Sequence, residues 1–390
     1  MKGLEINPRE LSETGSWSVS LESGRLQFGE GSLDRLGGLV RGLGCTRVLL
    51  VTDAGIRAAG HVERAEAVMI AEGIDYAVFD EVVENPTTLV VESARRAAQA
   101  FGPDGIVALG GGSSMDCAKG VNFLLTNGGK MEDYWGTGKA SRPMLPSLGI
   151  PTTAGTGSEA QSYALIAQEG SRNKMACGDP KAKFRSVILD PSLLPSAPRE
   201  VRAVAAMDAV SHAVESYVST RRNPVSQLFA MEAWRLLESS LEAALGSPER
   251  VETWGRMLLG AHFAGWAIEH SMLGAAHACA NPLTARFGIP HGVAVGLMLP
   301  HVVGFNRDEV GTLYGELENA DPSRTGAPRI EHRIAELRQA CGLGGKLRDY
   351  DVPRESFGEL AEQAAEQWTA SFNPRQVGPE ELKGLYESAY

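Results

Sequence analysis

A chain of 390 residues is longer than one ordinary hydrophobic core supports, so two domains are expected. Its net charge of −11 argues against a nucleic-acid or anionic-membrane partner, because both select a basic surface. Residues Met1 to Ser16 are polar with no signal-peptide core, no apolar run reaches membrane-spanning length, and the five cysteines are scattered without CxxC spacing, so a cytoplasmic protein with packing thiols and no disulfide framework is expected.

Trp17 to Phe28 alternates around Gly24, which predicts a hairpin or two short strands. Gly29-Glu30-Gly31 then opens a helix from Ser32 to about Leu43; its GxG lacks a third glycine and precedes the first strong strand, so it carries no dinucleotide reading. Thr46 to Thr52 is a short apolar run ending at Asp53, as expected of a central parallel strand covered on both faces. A helix around Val62 to Ala71, a strand at Asp75 to Phe79, a helix from about Thr88 to Phe101 and a strand at Gly105 to Leu109 follow. This alternation predicts an α/β domain built on a doubly wound, mostly parallel sheet, whose ligands bind at the carboxyl ends of the strands.

At one such end stands Leu109-Gly110-Gly111-Gly112-Ser113-Ser114-Met115-Asp116. Three glycines let a backbone approach a phosphate, and a helix starting near Ser113 aims free N–H groups at it. Ser113 and Asp116 also fit a capping box, so the same turn is open to a purely structural reading. After a strand at Leu145 to Ile150, Pro151-Thr152-Thr153-Ala154-Gly155-Thr156-Gly157-Ser158-Glu159 offers four hydroxyls as neutral donors to ribose and pyrophosphate. Lys174 reads either as a charge partner for cofactor or substrate or as a solvated surface group.

Beyond Asp190-Pro191 only helical periodicity remains, through Met207 to Ser219, Pro224 to Ala244, Val251 to Ala267, Leu273 to Ala285, Ala294 to Val303 and three tail helices. The expected division is an α/β domain over residues 1–192 and an all-helical domain over 193–390. Asp208 and His212, four apart on a helix, leave one face together. With His277 and His291 they make a nitrogen and oxygen set suited to a divalent first-row metal. Taken singly these are a surface pair, a core histidine and a turn cap; four within one helical region, among small residues, favour a shared ion. Cys279, two residues after His277, turns away from it.

Together these motifs resemble the iron-containing, or group III, alcohol dehydrogenase family: FGEGSL at 28–33, VTD at 51–53, ENPT at 84–87, GGGSSMD at 110–116, PTTAGTGSE at 151–159, DAVSHAVESY at 208–217, IPHG at 289–292 and LMLPH at 297–301. They stand in the family's order across most of the chain. The resemblance implies a dinucleotide-binding domain, a helical domain, an active site in the cleft between them and a homodimer. It implies Asp208, His212, His277 and His291 as metal ligands. Gly111, Gly112, Ser113 and Asp116 would hold the pyrophosphate, and Asn85, Thr152, Thr153, Thr156 and Lys174 would lie along the ribose and nicotinamide. Asp53 matches an acidic position that meets the adenosine ribose, which favours NAD over NADP because a carboxylate accepts from a 2′-hydroxyl and repels a 2′-phosphate.

One departure stands out. Four residues after His277, many family members carry a second histidine in a proton relay, and this chain has Asn281, which has no proton to exchange near neutral pH. A water chain, the cofactor ribose, Tyr163 or His270 are the alternatives; His270, His277 and Asn281 share a face if Gly274 leaves the helix unbroken. Tyr163 and Ile268 match positions that line the substrate pocket in similar proteins. The expected reaction is hydride transfer between NAD(H) and a small alcohol or aldehyde, assisted by one divalent metal, Fe2+ or Zn2+. Glycerol dehydrogenase-like and maleylacetate reductase-like activities, a lyase similar to dehydroquinate synthase, and a non-catalytic NAD-binding relative are the rival readings.

Overall fold

A computed structural model describes residues 17–21, 24–170, 174–320, 326 and 328–390, with side chains from Arg25 onward. The chain divides into two compact units, the first made of Met1–Thr153, Ser158–Ala197 and Glu249–Leu258, the second of Ala154–Gly157, Pro198–Pro248 and Leu259–Tyr390.

The first unit runs β1 (Trp17–Leu21), β2 (Gly24–Phe28), α1 (Leu36–Gly42), β3 (Arg47–Val51), α2 (Ala54–Ala58), α3 (His61–Ala71), β4 (Asp75–Phe79), α4 (Thr88–Phe101), β5 (Gly105–Gly110), α5 (Gly112–Asn127), β6 (Gly136–Thr137), β7 (Ser147–Pro151), β8 (Tyr163–Ala167), β9 (Lys174–Gly178) and β10 (Ser186–Leu189). Seven strands form one sheet in the order β1-β2-β10-β7-β5-β3-β4. β1 pairs antiparallel with β2, and the remaining neighbours are parallel. Helices follow β3, β4 and β5, so β5, β7 and β10 are buried at every residue, which explains their unbroken apolar runs. A second, three-stranded sheet in the order β6-β9-β8 was not foreseen. Its strands are short and do not alternate between apolar and polar residues, so they carry no period to read.

One local expectation needs correction. Gly111, not Ser113, is the N-cap of α5, and no side chain caps that end, so the Ser113–Asp116 capping box does not form. The glycine stays extended there and leaves the first amides of α5 to the space in front of them.

The second unit is helical: α6 (Arg199–Val218), α7 (Pro224–Gly246), α8 (Val251–His270, its first two turns belonging to the first unit), α9 (Ala275–Phe287), α10 (His291–Glu318), α11 (Ile330–Ala340), α12 (Phe357–Ala365) and α13 (Pro379–Ser388). Every residue of α6 from Ala206 to Val218 is buried, the mark of a helix surrounded by others rather than lying on a surface. Small residues allow this closeness: Gly292 faces the Val204 backbone, Gly296 faces Met207, and a Cβ on Gly157 would stand 2.7 Å from Gly265 Cα of α8. As the two periodic runs at Val251 to Ala267 and Leu273 to Ala285 predict, α8 and α9 are separate helices, with Ser271 to Gly274 between them. His270 therefore ends one helix while His277 and Asn281 ride the next, and the three share no common face. No helix among the described residues is long and apolar enough to cross a membrane.

Candidate metal centre and cofactor cradle

In the helical unit, α6 brings Asp208 and His212 to one face, the first turn of α9 brings His277, and α10 begins at His291. Asp208 Oδ1 lies 3.4 Å from His212 Nε2, 3.7 Å from His277 Nε2 and 3.8 Å from His291 Nε2. The donor atoms of Asp208, His277 and His291 lie within 4.8 Å of one another. Asp208 Oδ1 and His277 Nε2 are buried with no hydrogen-bond partner. Leaving such atoms unsatisfied costs about 1–3 kcal/mol each, so a carboxylate oxygen and ring nitrogens aimed at one point without bonding each other fit a shared divalent cation.

The charges around this point agree. Burial pushes the Asp208 carboxyl up, but His212, His277 and His291 outweigh it and hold Asp208 well below the usual carboxylate range. Burial works against a charged His277, yet Glu215 and Asp208 raise its pKa to about 9. Burial lowers His212, which Asp208 only partly offsets.

Glu215 was not anticipated. It is buried on α6, bonds His277 Nδ1 with one oxygen, and accepts the Ala276 N–H at 2.7 Å with the other. A carboxylate behind a ligating imidazole fixes the ring and turns Nε2 toward the metal. The signal was present, since Asp208, His212 and Glu215 follow the i, i+4, i+7 pattern of one helical face.

The sheet unit gathers a second set of expected residues at the carboxyl ends of β3, β5 and β7. Gly110 has φ +153°, and a Cβ there would collide with Ser114 Oγ and stand 3.3 Å from Asp53 Oδ2. Gly111 and Gly112 open α5, with Thr153 Oγ1 3.5 Å from where a Gly111 Cβ would sit. Asn85, held at φ +53°, donates its N–H to Ser113 Oγ at 3.2 Å. The Thr152 N–H donates to Gly110 O at 2.9 Å, while its buried Oγ1 has no hydrogen-bond partner. Asp53 caps α2 through Gly55 N at 2.9 Å and Ile56 N at 3.1 Å, and its other oxygen accepts Ser114 Oγ at 3.3 Å.

Other expected residues lie apart from this rim. Asp116 is buried one turn into α5, where it accepts Ser158 Oγ at 2.6 Å and has Lys119 Nζ 3.9 Å away; burial raises its pKa. Lys119, also unanticipated, donates to Ser158 O, Ser158 Oγ and Tyr163 O at 2.7–2.8 Å, tying α5 to the loop after β7. Lys174 opens β9, half-buried, and its charge acts on Asp116. Tyr163 opens β8, with its hydroxyl 3.4 Å from Thr137 Oγ1 and its ring over Gly178. Thr156 is exposed and its segment belongs to the helical unit. His270 is exposed at the end of α8, its ring 5.5 Å from that of Trp266. Asn281, one turn beyond His277, donates Nδ2 to Gln367 Oε1 at 3.0 Å.

Comparison with known proteins matches two family models in succession: "Iron-containing alcohol dehydrogenase" over residues 23–191 and "Fe-containing alcohol dehydrogenase family, C-terminal" over 202–390. The chain is 34% identical over 365 residues to alcohol dehydrogenase 4 of Schizosaccharomyces pombe, covering 93% of this chain and 86% of that one. It is 28% identical over 369 residues to the NAD-dependent methanol dehydrogenase of Bacillus methanolicus, covering 93% and 97%. Among solved structures, a 1,3-propanediol oxidoreductase superposes with a TM-score of 0.91 at 29% identity, covering 97% of this chain and all of that one.

Proposed function

The chain belongs to the iron-containing alcohol dehydrogenase family and is an oxidoreductase, and from that premise we propose that it interconverts a small alcohol with its aldehyde or ketone, using NAD(H) and one divalent cation, Fe2+ or Zn2+. The observation that carries this reading is the convergence of three imidazole nitrogens on Asp208 Oδ1 within 3.8 Å. Asp208, His212, His277 and His291 would hold the cation, which when bound supplies Lewis-acid polarisation of the substrate oxygen.

The chain's own residues do the rest by placement. Asp208 contributes the negative charge of the ligand set, and Glu215 keeps the His277 ring in the orientation that presents Nε2. Gly111, Gly112 and Ser113 would present the first amides of α5 to the cofactor pyrophosphate, with Thr152 and Thr153 beside them. Asp53 would accept from the adenosine ribose; its α2 cap and its bond to Ser114 fix the position of its carboxylate, which supports NAD over NADP. Asn281 has no titratable proton near neutral pH, so the proton of the alcohol would leave by water, the cofactor ribose or Tyr163; His270, on the helix before the break, lacks the shared face that recommended it.

The relatives act on different alcohols by name, methanol and 1,3-propanediol among them, so the proposal stops at a small alcohol or aldehyde. The buried free thiols support a reducing, cytoplasmic setting, and β1 at the sheet edge supports pairing of two copies into a homodimer. Following NADH absorbance against a panel of alcohols and aldehydes, with protein stripped of metal and then reloaded, tests the function. Turnover that needs the added cation supports it. A lyase or a non-catalytic NAD-binding protein would leave the absorbance unchanged.

A further inference from the structure

The segment Phe372 to Arg375, between α12 and α13, bonds two of the helices that carry the proposed ligands, α9 and α10, and the turn that follows the third, α6. Phe372 O accepts from Thr220, just past the end of α6, through its N–H at 2.9 Å and its Oγ1 at 3.2 Å. Asn373 Oδ1 accepts the Ala275 N–H at the start of α9 at 3.3 Å and Asn306 Nδ2 of α10 at 3.0 Å. In return Asn373 Nδ2 donates to Asn306 Oδ1 and to Arg375 O, both at 2.7 Å. Arg375 Nη1 donates to Phe305 O of α10 at 2.7 Å, with its guanidinium 4.1 Å from the Phe305 ring centroid.

Asn373 and Asn306 are 4% and 1% exposed, deep enough that burying two amides needs a return. The Asn373 side chain uses both donors and accepts two bonds, which is its full capacity. Apolar packing tolerates sliding between helices, whereas a fully satisfied polar junction permits one register.

The junction also adjoins the metal site. A Cβ on Gly274 would stand 3.0 Å from Asn373 Oδ1 and 3.1 Å from Glu215 Oε1, so these two side chains flank the N-cap of α9. They accept its first two N–H groups, of Ala275 and Ala276, and His277 is the next residue.

We infer that Asn373 is a positioning residue of the metal centre: by bonding the start of α9 and the middle of α10 at once, it holds His277 where Asp208 and His291 require it. The inference rests on the metal assignment proposed above, and its test separates the two. Asn373→Asp keeps an acceptor for Ala275 but loses both donated bonds; Asn373→Ala loses all four. Zn2+ affinity by chelator competition, the visible spectrum of the Co2+-loaded protein and the melting temperature of the metal-free protein would be measured for both. Leu337→Ala, in the buried face of α11, which carries no ligand, serves as the destabilised control. The Asn373 variants are expected to bind Zn2+ at least about tenfold more weakly and to alter the Co2+ spectrum, while Leu337→Ala lowers the melting temperature with affinity within about twofold of the parent. Asn373→Asp with parental affinity and spectrum, and only a lower melting temperature, would overturn the inference. If neither Asn373 variant folds, Asn306→Ala removes the two bonds that Asn373 makes to α10: weaker Zn2+ binding supports the inference and unchanged binding overturns it. A parent protein that binds no metal would instead remove the assignment on which it stands.

Discussion

Glu215 accepts the Ala276 N–H and bonds His277 Nδ1 with the same carboxylate, so α6, which carries two of the proposed ligands, also sets the ring that α9 contributes as a third. The orientation of His277 is therefore written into the helix it faces rather than the one it grows from.

Glu215→Gln keeps the shape and can still accept from Ala276, but loses the charge behind the imidazole. It is expected to weaken metal binding by about 10- to 100-fold and to lower kcat in parallel, with little change in the apparent KM for NAD. Chelator competition and steady-state kinetics on the same preparation check this. Parental affinity would show that Glu215 is only a buried helix clamp.

Metal uptake should depend on pH through His277. Its pKa is raised to about 9 in the metal-free protein, so near neutrality a proton must leave before Nε2 can bind. The sign follows: affinity climbs by about tenfold per pH unit on the way up and levels off above about pH 9. For the metal-free fold the sign is opposite, since the raised pKa stabilises it fully below the ordinary histidine value of about 6.5, and that gain fades as pH rises through about 9. Titrations across this range in non-coordinating buffers, with proton release measured, decide it; binding independent of pH would contradict the raised pKa.

Asp53→Ser retains a cap for α2 while removing the anion. The ratio of kcat/KM for NADPH to that for NADH should rise on the order of tenfold, equivalent to about 1.4 kcal/mol of repulsion removed. An unchanged ratio would mean that the ribose is read elsewhere.

The sheet, its helices and the Asp208–His212 pair were legible because each rests on a local pattern: buried runs for β3 and β5, glycines after β5, and a four-residue spacing on α6; His277 and His291 had no such pattern and were joined to the pair by their shared helical region and the family resemblance. The small β6-β9-β8 sheet was not, because its strands are too short to show a period. The break between α8 and α9 was legible as two separate periodic runs, but what caps the second was not, because the first amides of α9 are bonded by Glu215 and Asn373 from distant parts of the chain. Spacing offered Asp116 as half of a capping box and the resemblance set it by the pyrophosphate, yet one helical turn carries it inward to Ser158 and Lys119. Local spacing gives the face of a helix, and only tertiary packing tells what that face meets.

Asn281→His would place a titratable ring one turn after His277 and break the bond that Asn281 Nδ2 makes to Gln367. The pH profile of kcat should gain an inflection between about pH 6 and pH 7. Profiles that superimpose would show that this position stands outside the proton route.

The central claim is that one cation is shared by four side chains, and calorimetric titration of the metal-free protein with Zn2+ tests it most directly. The account predicts one saturable equivalent per chain, lost or greatly weakened in Asp208→Asn and His277→Ala alike. An absence of saturable binding, or binding that survives both substitutions, would contradict it.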